Sequence, residues 1–145
     1  MRLVVQRVKQ AKVEVSGKIV GEIGPGLFVL VGVKKGDSLD NAETLAVKLS
    51  KLRIMVDEND KMNLSVGDVE ASFLVVSQFT LHANTKDGNR PSFIDAAAPD
   101  EAKKIYNHFV KKLKEKNLKV ETGSFGDYMI ITAELDGPVT IIIEN

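Results

Sequence analysis

The chain has no cysteine and no tryptophan, only four prolines, and no excess of either charge. Without cysteine, disulfides, thiol nucleophiles and thiolate-bound metals are all excluded. Lysine plus arginine and aspartate plus glutamate each number 20, so the formal net charge is zero. A neutral chain is not held to nucleic acid by a broad positive field, although it can still grip a single RNA end. Imidazole is scarce as well: the two histidines, His82 and His108, lie far apart in sequence. No carboxylate set assembles with them into a metal site, so no metal or other cofactor is expected. Long hydrophobic runs are also missing. The longest, residues 27–33, is interrupted by Gly32 and is far too short to span a bilayer. The opening Met1-Arg2-Leu3-Val4-Val5-Gln6-Arg7 has charge inside its apolar stretch and does not read as a signal peptide. No membrane partner is expected, and the cytoplasm is the default compartment.

What is present is an ordinary globular composition, 43% hydrophobic and 28% charged over 145 residues. That suits one domain over residues 1–145 with its own core. Alternation predicts strands at the start: Leu3, Val5 and Arg7 share one face, with Val4, Gln6 and Val8 on the other. Val13 and Val15 continue the alternation, and Ser16-Gly17 and Gly24-Pro25-Gly26 supply turns. Residues 27–31 are continuously apolar and partly β-branched, as in a strand buried on both faces. The period then changes. Leu39, Ala42, Leu45, Ala46, Leu49 and Leu52 form one helical stripe, with Asp37 or Ser38 placed to cap it. Residues 57–61 read as a loop, 73–81 as an apolar strand with a polar end, and 85–90 as another loop. Pro99 fits the first position of a second helix, whose buried stripe is Ala102, Ile105, Tyr106, Phe109 and Leu113. Lys111, Lys112, Lys114 and Lys116 crowd its end, which suits the helix dipole; with Lys119 they could attract RNA phosphates, but a solvated helix face is the reading preferred, with affinity falling only shallowly with salt. Strands are expected again near Val120, over 128–135 and, after Asp136-Gly137-Pro138, over 139–143. The fold class is therefore α/β (α+β), with mostly antiparallel strands and two principal helices.

Three segments carry polar groups where chemistry could sit. In Ser77-Gln78-Phe79-Thr80-Leu81, a strand would alternate Ser77 and Phe79 with Gln78 and Thr80, so both faces are polar at one strand end. Each such group costs about 1–3 kcal/mol if buried without a partner. On spacing alone these residues satisfy neighbouring backbone at a sheet edge. Gly88-Asn89-Arg90-Pro91-Ser92-Phe93 reads as a surface turn from which Phe93 re-enters the core. Leu135-Asp136-Gly137-Pro138-Val139-Thr140 reads as an ordinary turn between strands.

Taken in order and at these separations, the segments say more. Ser77-Gln78-Phe79-Thr80-Leu81 and Gly137-Pro138-Val139-Thr140 resemble the two signatures of D-aminoacyl-tRNA deacylases, and Val5-Gln6-Arg7-Val8 and Arg90-Pro91-Ser92-Phe93 also look like that family. The resemblance covers essentially the whole chain. It implies a barrel-like sandwich with two helices, and a homodimer with its active sites at the subunit interface. It implies that Ser77, Gln78, Phe79 and Thr80 line the pocket for the aminoacyl-adenosine end of D-aminoacyl-tRNA. Gly137-Pro138 would be a cis peptide reaching into the partner's pocket to select chirality, with Arg7 fixing its orientation; Pro91, Ser92 and Phe93 belong to the same substrate-binding group. The family often has Asn two residues before the glycine; here that position is Leu135, so any hydrogen bond made by that Asn is in doubt.

The reaction so implied is hydrolysis of a carboxylic ester. Thr80 and His82, two apart on the expected strand, could share a face as nucleophile and base, but no third group is evident to orient the base. His82 is expected at a surface or loop edge, and His108 on a helix surface. An aminoacyl ester is already activated by the neighbouring ribose hydroxyl, so backbone N–H groups around Phe79 and Thr80, with the RNA 2′-hydroxyl assisting, are expected to suffice. Enantiomers share the same atoms, so selection must come from clash around Cα. Glycine has no side chain to clash, so glycyl-tRNA is expected to be cleaved too. Two other classes compete. A general esterase using Ser77 or Thr80 fits poorly, because the Gly-x-Ser-x-Gly elbow is absent. A non-enzymatic dimeric module that binds RNA ends or protein is compatible with composition and is disfavoured only by the motif set.

Overall fold

Alternating apolar side chains at the start of the chain build β1 (Arg2–Val15), the long strand around which the others are arranged. The computed structural model describes residues 1–86 and 88–145; residue 87, within the expected 85–90 loop, lies outside the described residues. The N-terminal half of β1 pairs antiparallel with β3 (Gly26–Gly32), and its C-terminal half with β2 (Lys18–Ile23). Its other edge pairs with β8 (Ile130–Glu144). Beyond β3 come β6 (Ser72–Ser77) and β7 (Lys119–Thr122), both in parallel register. The order is β2-β1-β3-β6-β7 with β8 also on β1, and β2 packs back towards β7, so the sheet is barrel-like and nearly closed. A small antiparallel pair, β4 (Met55–Val56) and β5 (Met62–Leu64), stands apart.

Parallel neighbours need long crossovers, and the two helices supply them. α1 (Leu39–Ser50) links β3 towards β6, and α2 (Pro99–Lys114) links β6 to β7. Of the two candidate caps for α1, Ser38 is the one used. Its Oγ accepts from the Asn41 backbone N–H at 3.3 Å, and the Ser38 N–H donates to Asn41 Oδ1 at 2.8 Å. Asp37 instead accepts from the Lys34 N–H at 2.6 Å. α2 opens on Pro99, whose missing N–H would have had no intrahelical partner there.

Period decides which face is buried. Ala42, Leu45, Ala46 and Leu49 of α1 meet Ile105, Tyr106, Phe109 and Leu113 of α2 over the sheet face carrying Leu3, Val5, Leu27, Val29, Phe73 and Val75. A second cluster, with Val8, Val13, Phe28, Leu74 and Val76, fills the inside of the curved sheet. Strands β3 and β6 are thus apolar on both faces, as their unbroken runs require.

Two expectations about strands change. The strand expected over 73–81 stops at Ser77, and Phe79–His82 wraps into a 3₁₀ turn. The reason lies next door: the Gln78 N–H donates to Val31 O at 2.8 Å, and β3 ends one residue later. With no neighbour left, the backbone bonds to itself, Leu81 N–H to Gln78 O at 3.3 Å and Ala83 N–H to Thr80 O at 3.0 Å. The alternation assigned to Ser77 through Thr80 therefore does not hold beyond Ser77. Secondly, the strands expected over 128–135 and 139–143 are a single strand, β8, with Asp136-Gly137-Pro138 as a bulge inside it. Pairing with β1 jumps from Val8↔Leu135 to Gln6↔Thr140, so the extra residues are crowded opposite Arg7.

His82 and Phe93 also differ from expectation. His82 is buried, because the 3₁₀ turn folds its ring onto Gly32 of β3. His108 lies on α2, half-buried at its surface, with Nε2 3.8 Å from Glu43 of α1. Phe93 does not re-enter the core; it is 38% exposed.

Candidate active site

The 3₁₀ turn creates unpaired donors. In such a turn the first N–H groups have no acceptor behind them. Among the described residues no acceptor faces the backbone N–H of Phe79 or Thr80, whereas Gln78, Leu81 and Ala83 are all bonded. Gln78 Nε2 donates to Thr80 Oγ1 across the start of the turn. Among the described residues no base lies beside Thr80: His82 Nε2 is buried without a hydrogen-bond partner, pressed against Gly32 rather than turned to the hydroxyl. The turn thus leaves two consecutive N–H donors free, and among the described residues no nucleophile–base pair forms.

A cavity of about 600 Å³ opens beside the turn, with Ser77, Gln78 and Phe79 on one wall. Tyr106 of α2 and Phe125, Tyr128 and Met129 ahead of β8 form much of the rest. Such a largely apolar hollow with a few polar groups at one side suits a small organic group. The second segment is drawn in by a short bridge: Asn84 N–H donates to Ser92 O at 2.8 Å and Ser92 N–H to Asn84 O at 2.9 Å. This places Phe93 edge-on to Phe79, ring centres 5.1 Å apart, at the cavity wall. Pro91 is exposed next to it. Tyr106 is anchored by its hydroxyl, which donates to Val75 O at 2.9 Å, and burial pushes the phenol pKa up, so it stays protonated.

The third segment is elsewhere. The Gly137–Pro138 peptide is cis and sits in the bulge opposite Arg7. The Arg7 guanidinium donates from Nη1 to Ile54 O at 2.9 Å, and its Nε lies 2.8 Å from Asp136 Oδ2, close enough for an ion pair but without in-line hydrogen-bond geometry. Arg7 is thus tied to the residue just before Gly137 and is itself buried. Along β3, Arg7 is level with Leu27 while Ser77 is level with Val31, a separation of about 13 Å at roughly 3.3 Å per residue. Within one chain, therefore, the Ser77–Thr80 turn and Gly137-Pro138 do not meet.

Part of the cavity escaped the sequence reading. Helical spacing marks Tyr106 as part of a buried stripe, and 128–135 reads as a strand, yet Tyr106, Tyr128 and Met129 line the hollow. The available signal was composition: Ser124-Phe125-Gly126-Asp127-Tyr128 mixes aromatics with glycine and lacks any period, as a binding loop does.

Residues 4–144 match the family model described as D-Tyr-tRNA(Tyr) deacylase. A relative named D-aminoacyl-tRNA deacylase from Thermosipho melanesiensis is 52% identical over 146 residues, covering 100% of this chain and 97% of the relative. One of the same name from Aquifex aeolicus is 54% identical over 145 residues, covering 100% and 98%. Among solved structures, a "c-Myc DNA Unwinding Element Binding Protein" superposes with a TM-score of 0.94 at 38% identity, covering 100% of this chain and 99% of that one. A probable eukaryotic D-amino acid tRNA deacylase gives a TM-score of 0.81 at 18% identity, covering 98% and 97%, which is likeness of fold. The chain belongs to the D-Tyr-tRNA(Tyr) deacylase family, a family of hydrolases.

Proposed function

We propose that this protein hydrolyses the ester linking a D-amino acid to tRNA, releasing the free amino acid and the tRNA, and that it spares the L-aminoacyl ester. The observation that carries this reading is the pair of unpartnered N–H groups on Phe79 and Thr80, on a turn whose neighbours wall an apolar cavity. As water attacks the carbonyl, negative charge grows on its oxygen, and fixed donors at that point lower the barrier by roughly 3–4 kcal/mol each. The ribose 2′-hydroxyl beside the ester assists, so no strong side-chain nucleophile is required. Thr80→Ala is expected to lower kcat by less than about tenfold, whereas loss of an activated nucleophile costs up to about 10⁶-fold. Single-turnover hydrolysis of D-tyrosyl-tRNA measures the difference, and near-total loss would make Thr80 the nucleophile.

The protein works as a dimer in this reading, each site completed by the partner's Gly137-Pro138. Support comes from two features. The half-sites are separated within one chain, and β8 pairs only with β1 among the described residues, leaving a long strand edge with Ile130, Leu135 and Ile142 exposed. An edge of that length is normally covered. Rigid backbone at Gly137-Pro138, held by Arg7, can accept from the substrate ammonium while its bulk excludes an L side chain. Leu135 points to no hydrogen bond of the kind the family's Asn could make, and the backbone element does not depend on one. Glycyl-tRNA, with nothing to exclude, is expected to be cleaved alongside D-aminoacyl-tRNA; survival of glycyl-tRNA under conditions that clear D-tyrosyl-tRNA would sink exclusion as the basis of selection. The acceptor end of aminoacyl-tRNA is the RNA partner.

A further inference from the structure

A second depression, of about 780 Å³, runs along α2 and shares Tyr106 and Phe125 with the candidate active-site cavity. One wall is a polar helical stripe, and Thr122 and Ser124 add polar groups opposite the helix residues in the lining. Lys103, Asn107, Lys111 and Lys114 follow one another in steps of three or four, the spacing that aligns side chains on one face. From Lys103 to Lys114 the stripe extends about 16 Å at roughly 1.5 Å per residue. Glu115 is the acid in the lining, and it lies between Lys111 at 3.9 Å and Lys112 at 3.3 Å. The lysines of this helix are not equivalent. Lys112 is 3.3 Å from Glu43 of α1 as well as from Glu115, and those two carboxylates raise its pKa; it ties the helices together. Lys103 and Lys114 have no carboxylate partner among the described residues and line the open groove. The groove is therefore positive within a neutral chain, and its floor is apolar, from Tyr106, Val110 and Phe125.

We propose that this groove carries the phosphodiester backbone of the single-stranded 3′ end of the tRNA into the active-site cavity, with Lys103, Lys111 and Lys114 on successive phosphates. The proposal rests on the function proposed above and adds the path by which that substrate enters. Charge complementarity and continuity with the cavity favour this occupant: a stripe of ammonium groups over an apolar floor is how proteins hold single-stranded nucleic acid without reading its sequence. A protein partner would need a broader apolar surface than this groove offers.

The test compares the triple variant Lys103→Gln/Lys111→Gln/Lys114→Gln with the wild type and with a charge-matched control, Lys18→Gln/Lys48→Gln/Lys51→Gln, whose exposed lysines lie on other elements. Each phosphate contact contributes about −0.7 to the slope of log affinity against log salt for a single strand, so the groove variant should lose about two units of slope and on the order of tenfold in kcat/KM for D-tyrosyl-tRNA at low salt. The loss should fall on KM, with kcat retained, and D-tyrosyl-adenosine, which lacks the upstream phosphates, should be cleaved as by the wild type. The control triple should keep the wild-type slope. Equal slopes for the groove variant and the wild type, or equal losses in the two triples, would overturn the proposal. Failure of the function itself would appear differently, as wild-type protein that cleaves neither substrate. In that case salt-dependent binding of a short fluorescent single-stranded RNA to the same three proteins still decides whether the groove holds RNA.

Discussion

Gly32→Ala is expected to reduce kcat for D-tyrosyl-tRNA by about 100-fold, although the substituted residue touches no substrate. A Cβ at position 32 would lie 2.9 Å from Leu81 Cβ and 3.1 Å from the His82 ring. Both neighbours belong to the 3₁₀ turn, and Leu81 Cβ is next to the backbone rather than at the end of a flexible chain. The turn must therefore shift, and with it the free N–H groups of Phe79 and Thr80. A misplacement approaching 1 Å is enough to forfeit about two orders of magnitude in rate, while overpacking of this kind costs the fold about 1–3 kcal/mol. Circular dichroism and a melting curve should thus report a folded, modestly weakened protein alongside a rate that has collapsed. Undiminished kcat in a folded variant would separate the turn from the chemistry.

Gly137→Ala should be comparably damaging by a different route. Gly137 has φ of +129°, a conformation that side chains rarely tolerate, and an added Cβ would lie 2.8 Å from both Val139 N and Val139 Cγ2 and 3.4 Å from Arg7 Nη2. The bulge must move away from the guanidinium that holds it, at a cost of about 1–3 kcal/mol. The Ser77–Thr80 turn of the same chain is remote from the change. We expect kcat/KM for D-tyrosyl-tRNA to fall about 100-fold. In the proposed dimer the lesion lies in one half-site and that of Gly32→Ala in the other, so mixing the two variants is informative. In a mixed dimer with two-fold symmetry, one of the two sites combines an intact turn with an intact Gly-Pro bulge, so random reassociation should restore roughly a quarter of the wild-type rate. No recovery in verified mixed dimers would mean that Gly137 acts within its own chain.

The contrast between what the sequence disclosed and what it hid follows the range of the interactions. Both helices were legible because Leu45, Leu49, Ile105 and Phe109 recur at helical spacing, and Ser38 and Pro99 mark their starts through local chemistry. The buried strands β3 and β6 were legible because an unbroken apolar run has few other uses. The end of β6 was not. Phe79, Thr80 and Leu81 have nothing in their own composition against a strand; the strand stops because β3 runs out at Gly32, a fact about another part of the chain. The bulge in β8 was hidden for the same reason, since Gly137-Pro138 looks locally like any turn and only its pairing with both sides of Arg7 keeps it inside one strand. The motif residues themselves stood out as an ordered set. The aromatic wall of the cavity did not, because Tyr106 serves core and cavity at once, and periodicity reports only the core.

One experiment tests directly whether this protein distinguishes the two hands of the same aminoacyl ester. Matched D- and L-tyrosyl-tRNA, incubated with wild-type protein and followed by loss of radiolabelled tyrosine from the acid-insoluble fraction, should diverge completely, the D ester cleared while the L ester decays at its spontaneous rate. Equal clearance of both would reduce the protein to a general esterase, and clearance of neither would leave it a binding module without catalysis.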